Sequence, residues 1–149
     1  GHIRLQKSRT DDQYAVHLPI KYPYLYKYGW SPRNNDIRDY PLISDDLGFV
    51  TAWIELHHSI GIAKHKNGSK YARLRIYGNK FIMDKMEPRI ANLAGVENKK
   101  VQILQNSKTG AIYYQSRHEI SRIADLLRNP TVKNNIQSIL VKAQVLRLR

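Results

Sequence analysis

TAWIELHHSI, residues 51–60, begins as the apolar stretch of a helix and ends on Glu55, Leu56, His57, His58 and Ser59. The residues beyond it alternate as a strand does, so this junction divides helix from sheet and decides how the chain is read. Two adjacent histidines beside a carboxylate raise the question of a metal site. They also fit the worn remnant of some other chemistry.

Working upstream, ISDDLGFVTAWIELHH (43–58) has a clean helical start. Ser44 is expected as N-cap, with Asp45 and Asp46 complementing the positive end of the helix dipole. Gly48, Ala52 and Leu56 fall four apart on one stripe, and the two small residues allow another backbone to approach. Phe49, Val50, Trp53 and Ile54 extend the apolar coverage around most of the circumference, which predicts a buried helix.

Downstream, SIGIAKHKNGSKYARLRIYG (59–78) reads as a hairpin around an Asn67-Gly68 two-residue turn, with strands 60–66 and 69–77. On the second strand Lys70, Ala72, Leu74 and Ile76 point one way, and Tyr71, Arg73, Arg75 and Tyr77 the other. That second set is a face of two cations and two aromatics with no acidic neighbours in the stretch. It suits contact with phosphate, and the alternative is a plain solvated sheet face.

NKFIMDKMEPRIANLAGV (79–96) is a helix capped by Asn79 and closed by Gly95, with a core stripe of Ile82, Met86, Ile90 and Leu93 and a kink or local break at Pro88. KKVQILQNSKTGAIYYQS is a second hairpin, with strands near 99–106 and 111–115. RHEISRIADLLRNP is a helix ended by Asn129-Pro130, and a last helix comes after it, N-capped by Thr131. Such a chain forms an α+β domain: four strands in one antiparallel sheet with helices on one face and the other face free.

Residues 1–43 read differently. LPIKYPYLYKYGWSPRNNDIRDYPL (18–42) holds four prolines, five tyrosines and a tryptophan, which forbids a continuous helix. This segment is an irregular arm. Its aromatics, interleaved with Lys21 and Lys27, either stack on unpaired bases or pin the arm to the domain by burying rings. The chain thus divides into a 1–43 arm and a 44–149 domain.

The charge is uneven. Of the net +13, residues 1–58 contribute zero, 59–100 contribute +7 and 101–149 contribute +6. A field of that sign attracts a polyanion and makes binding salt-dependent. The 149 residues contain no cysteine, which excludes disulfides and zinc–thiolate fingers. No apolar run approaches the ~20 residues of a membrane helix, so no membrane partner is expected.

The element order, and the way the first helix enters the first strand over Val50–Ile60, resembles the LAGLIDADG homing endonucleases across about residues 44–145. That resemblance implies an α-β-β-α-β-β-α core and a pair of signature helices packed through small residues, here Gly48 and Ala52. With one signature in the chain, it implies a homodimer or another protein partner. It also implies a sheet lying over nucleic acid, with contacts from among Lys64, Lys66, Lys70, Arg73, Arg75 and Tyr77. Lys133 falls near where the family places a basic residue by the scissile phosphate.

The signature departs from the family where chemistry occurs. His57 stands at the last acidic position, which binds catalytic magnesium in the family. Leu56 replaces the preceding small residue, His58 replaces the next glycine, and only Glu55 is retained in type. Magnesium prefers carboxylate oxygen and water, whereas imidazole suits zinc, copper or nickel. Zinc at Glu55, His57 and His58 is disfavoured because adjacent histidines do not share a helix face. Likenesses to the HNH nucleases at 57–67 and to the GIY-YIG nucleases at GAIYY lack the remaining motif residues.

The expectation is therefore a non-catalytic RNA-binding protein needing no metal. It is placed in an organellar, for example mitochondrial, ribonucleoprotein such as a ribosome or splicing complex by the family resemblance alone. The alternatives are a magnesium-dependent homing DNA endonuclease acting as a homodimer, and a non-cleaving DNA-binding repressor.

Overall fold

The computed structural model describes residues 2–7, 12–17, 27, 38–105 and 108–146. Strands β1 (His2–Lys7) and β2 (Asp12–His17) pair antiparallel as a separate two-stranded sheet. The opening residues thus hold regular structure that the irregular-arm reading did not anticipate. Most of the Tyr/Pro-rich segment lies outside the described residues. Its end is visible: Tyr40 is buried, its hydroxyl donates to Asp46 Oδ1 at 2.7 Å, and its ring meets Phe49 edge-on at 5.0 Å. At this tyrosine the ring pins the segment to the domain.

The domain then runs α1 (Asp46–Leu56), β3 (His58–Lys64), β4 (Lys70–Asn79), α2 (Lys80–Ala94), β5 (Gln102–Ile103), β6 (Thr109–Tyr114), α3 (Arg117–Leu126) and α4 (Pro130–Val145). The four strands β3 to β6 form one antiparallel sheet in the order β3-β4-β6-β5, the α+β fold expected.

Local chemistry sets the boundaries. The N-cap of α1 is Asp45 rather than Ser44: its carboxylate accepts from Gly48 N at 2.8 Å, a stronger cap than a hydroxyl at the positive helix end. The first hairpin closes on three residues, not two. His65 N donates to Ser69 O, Lys66 to Gly68 form the loop, and Gly68 takes φ +88. A left-handed third residue allows that loop length, and Asn67 Oδ1 secures it by accepting from Ser69 N and Oγ.

Asn79 caps α2 by accepting from Phe81 N, and Gly95 ends it at φ +62, both as expected. The helix continues through Pro88 without a break. Pro88 and Asp84 are both exposed, so water reaches the Asp84 carbonyl that loses its N–H partner. The cap of α4 is Asn129, not Thr131; it accepts from Thr131 N and Val132 N, with Pro130 at the first helical position. In the second hairpin β5 keeps only two paired residues.

Helices α2 and α4 pack on one sheet face. Leu74, Ile76, Ile112 and Tyr114 from the strands meet Met83, Met86 and Ile90 of α2, Ile120 and Ile123 of α3, and Ile136 of α4, all fully buried. Each of the Leu, Ile and Met side chains contributes ~1.5–3 kcal/mol on leaving water. Two glycines let helix and sheet approach: a Cβ on Gly78 would overlap the Trp53 ring, and one on Gly110 would meet Lys80 Cα at 3.2 Å. Among the described residues no helix is long and apolar enough to cross a membrane.

Candidate functional site

The buried parity of β4 settles which side chains share the opposite face. Ala72, Leu74 and Ile76 are in the core, so Tyr71, Arg73, Arg75 and Tyr77 lie on the side away from it, as the alternation predicts. Cross-strand register carries the face sideways. Ser59 pairs with Arg75, Gly61 with Arg73 and Ala63 with Tyr71 on β3, and Tyr113 of β6 pairs with Arg75. The Arg73 guanidinium sits 5.7 Å from the Tyr113 ring centre, and that of Arg75 sits 4.9 Å from the Tyr77 ring. His65 stacks on Tyr71 at 4.0 Å.

No Asp or Glu occurs in β3, β4, β5 or β6. Among the described residues neither Arg73 nor Arg75 forms an ion pair, and Arg75 Nε is buried without a hydrogen-bond partner. The carboxylates are engaged elsewhere: Asp39 with Lys85, Asp46 with Arg89 and Glu119 with Lys99. The sheet face is therefore cationic, with flat rings behind its charges, and among the described residues it has no anion to neutralise it.

The register divides the remaining cations. Lys64 and Lys70 pair with each other and share the parity of Ala72 and Leu74, so they belong to the helix side at the hairpin's far end. Lys66 is in the exposed turn. Lys133 lies on α4, its Nζ 3.5 Å from Asp125. Only Arg73, Arg75 and Tyr77 of the sequence-predicted strand contacts come together. Tyr113 completes the group; its register is fixed by pairing across β6, which local spacing does not reveal.

The junction at the end of α1 is arranged for packing. Glu55 Oε1 accepts from the backbone N–H groups of both Arg128 and Asn129, each at 2.7 Å, and so holds the α3–α4 connection. The His57 ring stacks on Trp53 at 4.3 Å and meets Tyr77 edge-on at 6.4 Å, with its Nδ1 buried and without a hydrogen-bond partner among the described residues. His58 Nδ1 donates to the Ile54 carbonyl at 2.8 Å. Among the described residues no three His, Cys, Asp or Glu side chains converge as metal ligands. Of the Glu55 carboxylate, one oxygen already holds two N–H groups, whereas magnesium takes its ligands from carboxylate oxygens and water.

Helix α1 is less buried than its composition predicts. Val50, Thr51 and Ile54 are covered, whereas Ala52 is exposed and Leu56 is 76% exposed. Gly48 has an internal reason to be glycine, since a Cβ there would strike the capping Asp45 carboxylate. The small-residue stripe reaches the surface at Ala52 and ends on the bulky Leu56.

No protein-family model and no curated protein matches the sequence. Solved structures do match in fold. The LAGLIDADG homing endonuclease I-GzeII in complex with its DNA target superposes with a TM-score of 0.52 at 8% identity, covering 76% of this chain and 40% of that one. The meganuclease I-SmaMI bound to uncleaveable DNA gives 0.51 at 11% identity, over 77% of this chain and 40% of that one. The group I intron-encoded homing endonuclease I-CeuI complexed with DNA gives 0.50 at 11%, over 70% and 57%. The chain thus spans about half the length of these structures or less. Together with the observed strand order and helix placement, these likenesses show that the chain has a LAGLIDADG homing-endonuclease-like fold.

Proposed function

We propose that this protein binds nucleic acid through the face of its four-stranded sheet opposite the helices and does not cut it. The observation that carries the reading is the acid-free face on which Arg73 and Arg75 stand without ion-pair partners among the described residues. Two uncompensated guanidiniums held against tyrosine rings keep their charge and fork geometry for phosphate. The excess of positive charge downstream of residue 58 supplies the long-range attraction.

The non-catalytic part of the reading is supported by Glu55 and His57, whose polar atoms and ring serve contacts within the chain. RNA is preferred to DNA because this chain adds tyrosines to its cations, a combination suited to splayed bases. The related folds named above were solved with DNA, so duplex DNA is the direct competitor. A place in an organellar ribonucleoprotein rests on the family resemblance. The exposed Ala52 and Leu56 offer a face for a second copy or another protein.

The test is to isolate the protein at moderate salt from its source and sequence the nucleic acid it shields from nuclease digestion. Ribosomal or intron RNA supports the reading. Protection of a short duplex DNA site, cut in magnesium by the wild type but not by Glu55→Gln, replaces it with the endonuclease. The same site bound without cutting replaces RNA binding with repression.

A further inference from the structure

Three glycines of the sheet can be compared by what a side chain would meet. Gly78 and Gly110 are required by the fold, because Trp53 in one case and the α2 backbone in the other occupy the space. Gly61 is different. A Cβ built there has nothing within 4 Å among the described residues, and its φ is not in the left-handed region. Glycine weakens a strand interior through lost packing and greater unfolded-state entropy, and one with no internal reason marks a place where something else approaches.

The surroundings identify the visitor. Gly61 sits directly across from Arg73, and beside it Ser59 is across from Arg75. Together they line a trough of about 240 Å³ along the edge strand. Its floor is Ser59, Gly61 and Ala63, and its wall is the two arginines. The Arg73 guanidinium has Tyr113 on one side, and Arg75 brings a buried, unpartnered Nε to the same trough.

We infer that this trough is a slot for an unpaired nucleotide. The base lies over Gly61 and stacks on the Arg73 guanidinium, which Tyr113 backs, while Arg75 takes the adjoining phosphate. A planar guanidinium supported by an aromatic ring is a stacking platform that tolerates any base, and stacked duplex base pairs cannot enter it. The slot deepens the proposed function, resting on the same sheet face, and it assigns that face to single-stranded or splayed-out segments.

The test uses the full chain and a short RNA carrying one 2-aminopurine, offered alone and annealed to its complement. The single strand is expected to bind about tenfold or more tightly than the duplex, with quenching of the fluorescent base. Gly61→Val puts a side chain into the trough whose Cβ meets nothing within 4 Å among the described residues, so its circular dichroism and urea midpoint are expected to stay at or above wild type. Its affinity for the single strand is expected to fall about tenfold or more, and the quenching to disappear. Tyr113→Leu is expected to lose quenching and Tyr113→Phe to keep it.

If Gly61→Val and Tyr113→Leu bind and quench like wild type while Arg73→Ala/Arg75→Ala loses binding, the slot is wrong and the sheet-face reading stands. Tighter binding to the duplex has the same meaning. If the double arginine variant binds like wild type, both fall.

Discussion

The end of α1 and the open face of β4 lie side by side and share Tyr77, yet their polar groups have opposite fates. At the helix end, Glu55 is spent on two backbone N–H groups and His57 on the Trp53 ring. On β4, Arg73 and Arg75 touch rings but no carboxylate among the described residues. Residues at the helix junction hold the domain together, and under the proposed function those on the sheet are left to a ligand. Substitutions at the junction should therefore change stability with little effect on binding, and substitutions on the sheet should do the reverse.

The largest effect is expected on the sheet. Arg73→Ala/Arg75→Ala is predicted to weaken binding to single-stranded RNA by about tenfold to a hundredfold. It should also flatten the salt dependence by about 1.4 in the log–log slope, if each guanidinium neutralises one phosphate. A salt series of binding isotherms checks this, and the urea midpoint should hardly move.

At the junction, Glu55→Ala is predicted to cost about 1.5–3 kcal/mol of stability by urea unfolding, the value of hydrogen bonds to a charged group. Its RNA affinity should stay within a factor of two to three, roughly the usual context dependence of a distant change. Equal stability, or a large loss of affinity, would break the contrast. His57→Asp, which restores an acidic residue, should lose about 0.5–1.5 kcal/mol with the Trp53 stack and should not yield magnesium-dependent cutting of duplex DNA, because Glu55 stays committed.

The smallest effect sharpens the account of the arm. The hydrogen bond from Tyr40, aided by Arg89, holds the Asp46 carboxyl below its ordinary range, and Lys85 with the Tyr40 N–H does the same for Asp39. A carboxylate depressed in the folded state contributes stability above its unfolded pKa and loses it as pH falls through the folded value. Stability should therefore decline on acidification below about 4. Both groups are exposed, so the decline is modest. Tyr40→Phe should make that limb shallower.

The order of elements was legible because each had local signals: Asn79 and Gly95 around α2, alternation on β4, and a loop glycine in the first hairpin. The Arg73/Arg75 face came from parity alone. What could not be read depended on distant partners. Glu55 looked like a surviving acid because its partners, Arg128 and Asn129, lie more than seventy residues away. Lys70 already shared the parity of Ala72 by alternation and stood only in a broad list of contacts, whereas Lys64 joined that side through its pairing with Lys70. Tyr113 joined the site only through pairing of β6 with β4. The stripe of α1 read as a face for another backbone, and Ala52 and Leu56 are exposed on it; the expectation of a buried helix came from the apolar coverage, which reports a face to be covered and does not say whether this chain covers it.

The most direct measurement is ultraviolet cross-linking of the protein to the nucleic acid it carries when isolated, with mass spectrometry of the modified peptides. The account predicts cross-links to RNA concentrated in residues 59–77 and at Tyr113, lost in Arg73→Ala/Arg75→Ala. Cross-links confined to the α1 junction or the helix side of the sheet, or a bound duplex DNA that is cut in magnesium, would contradict it.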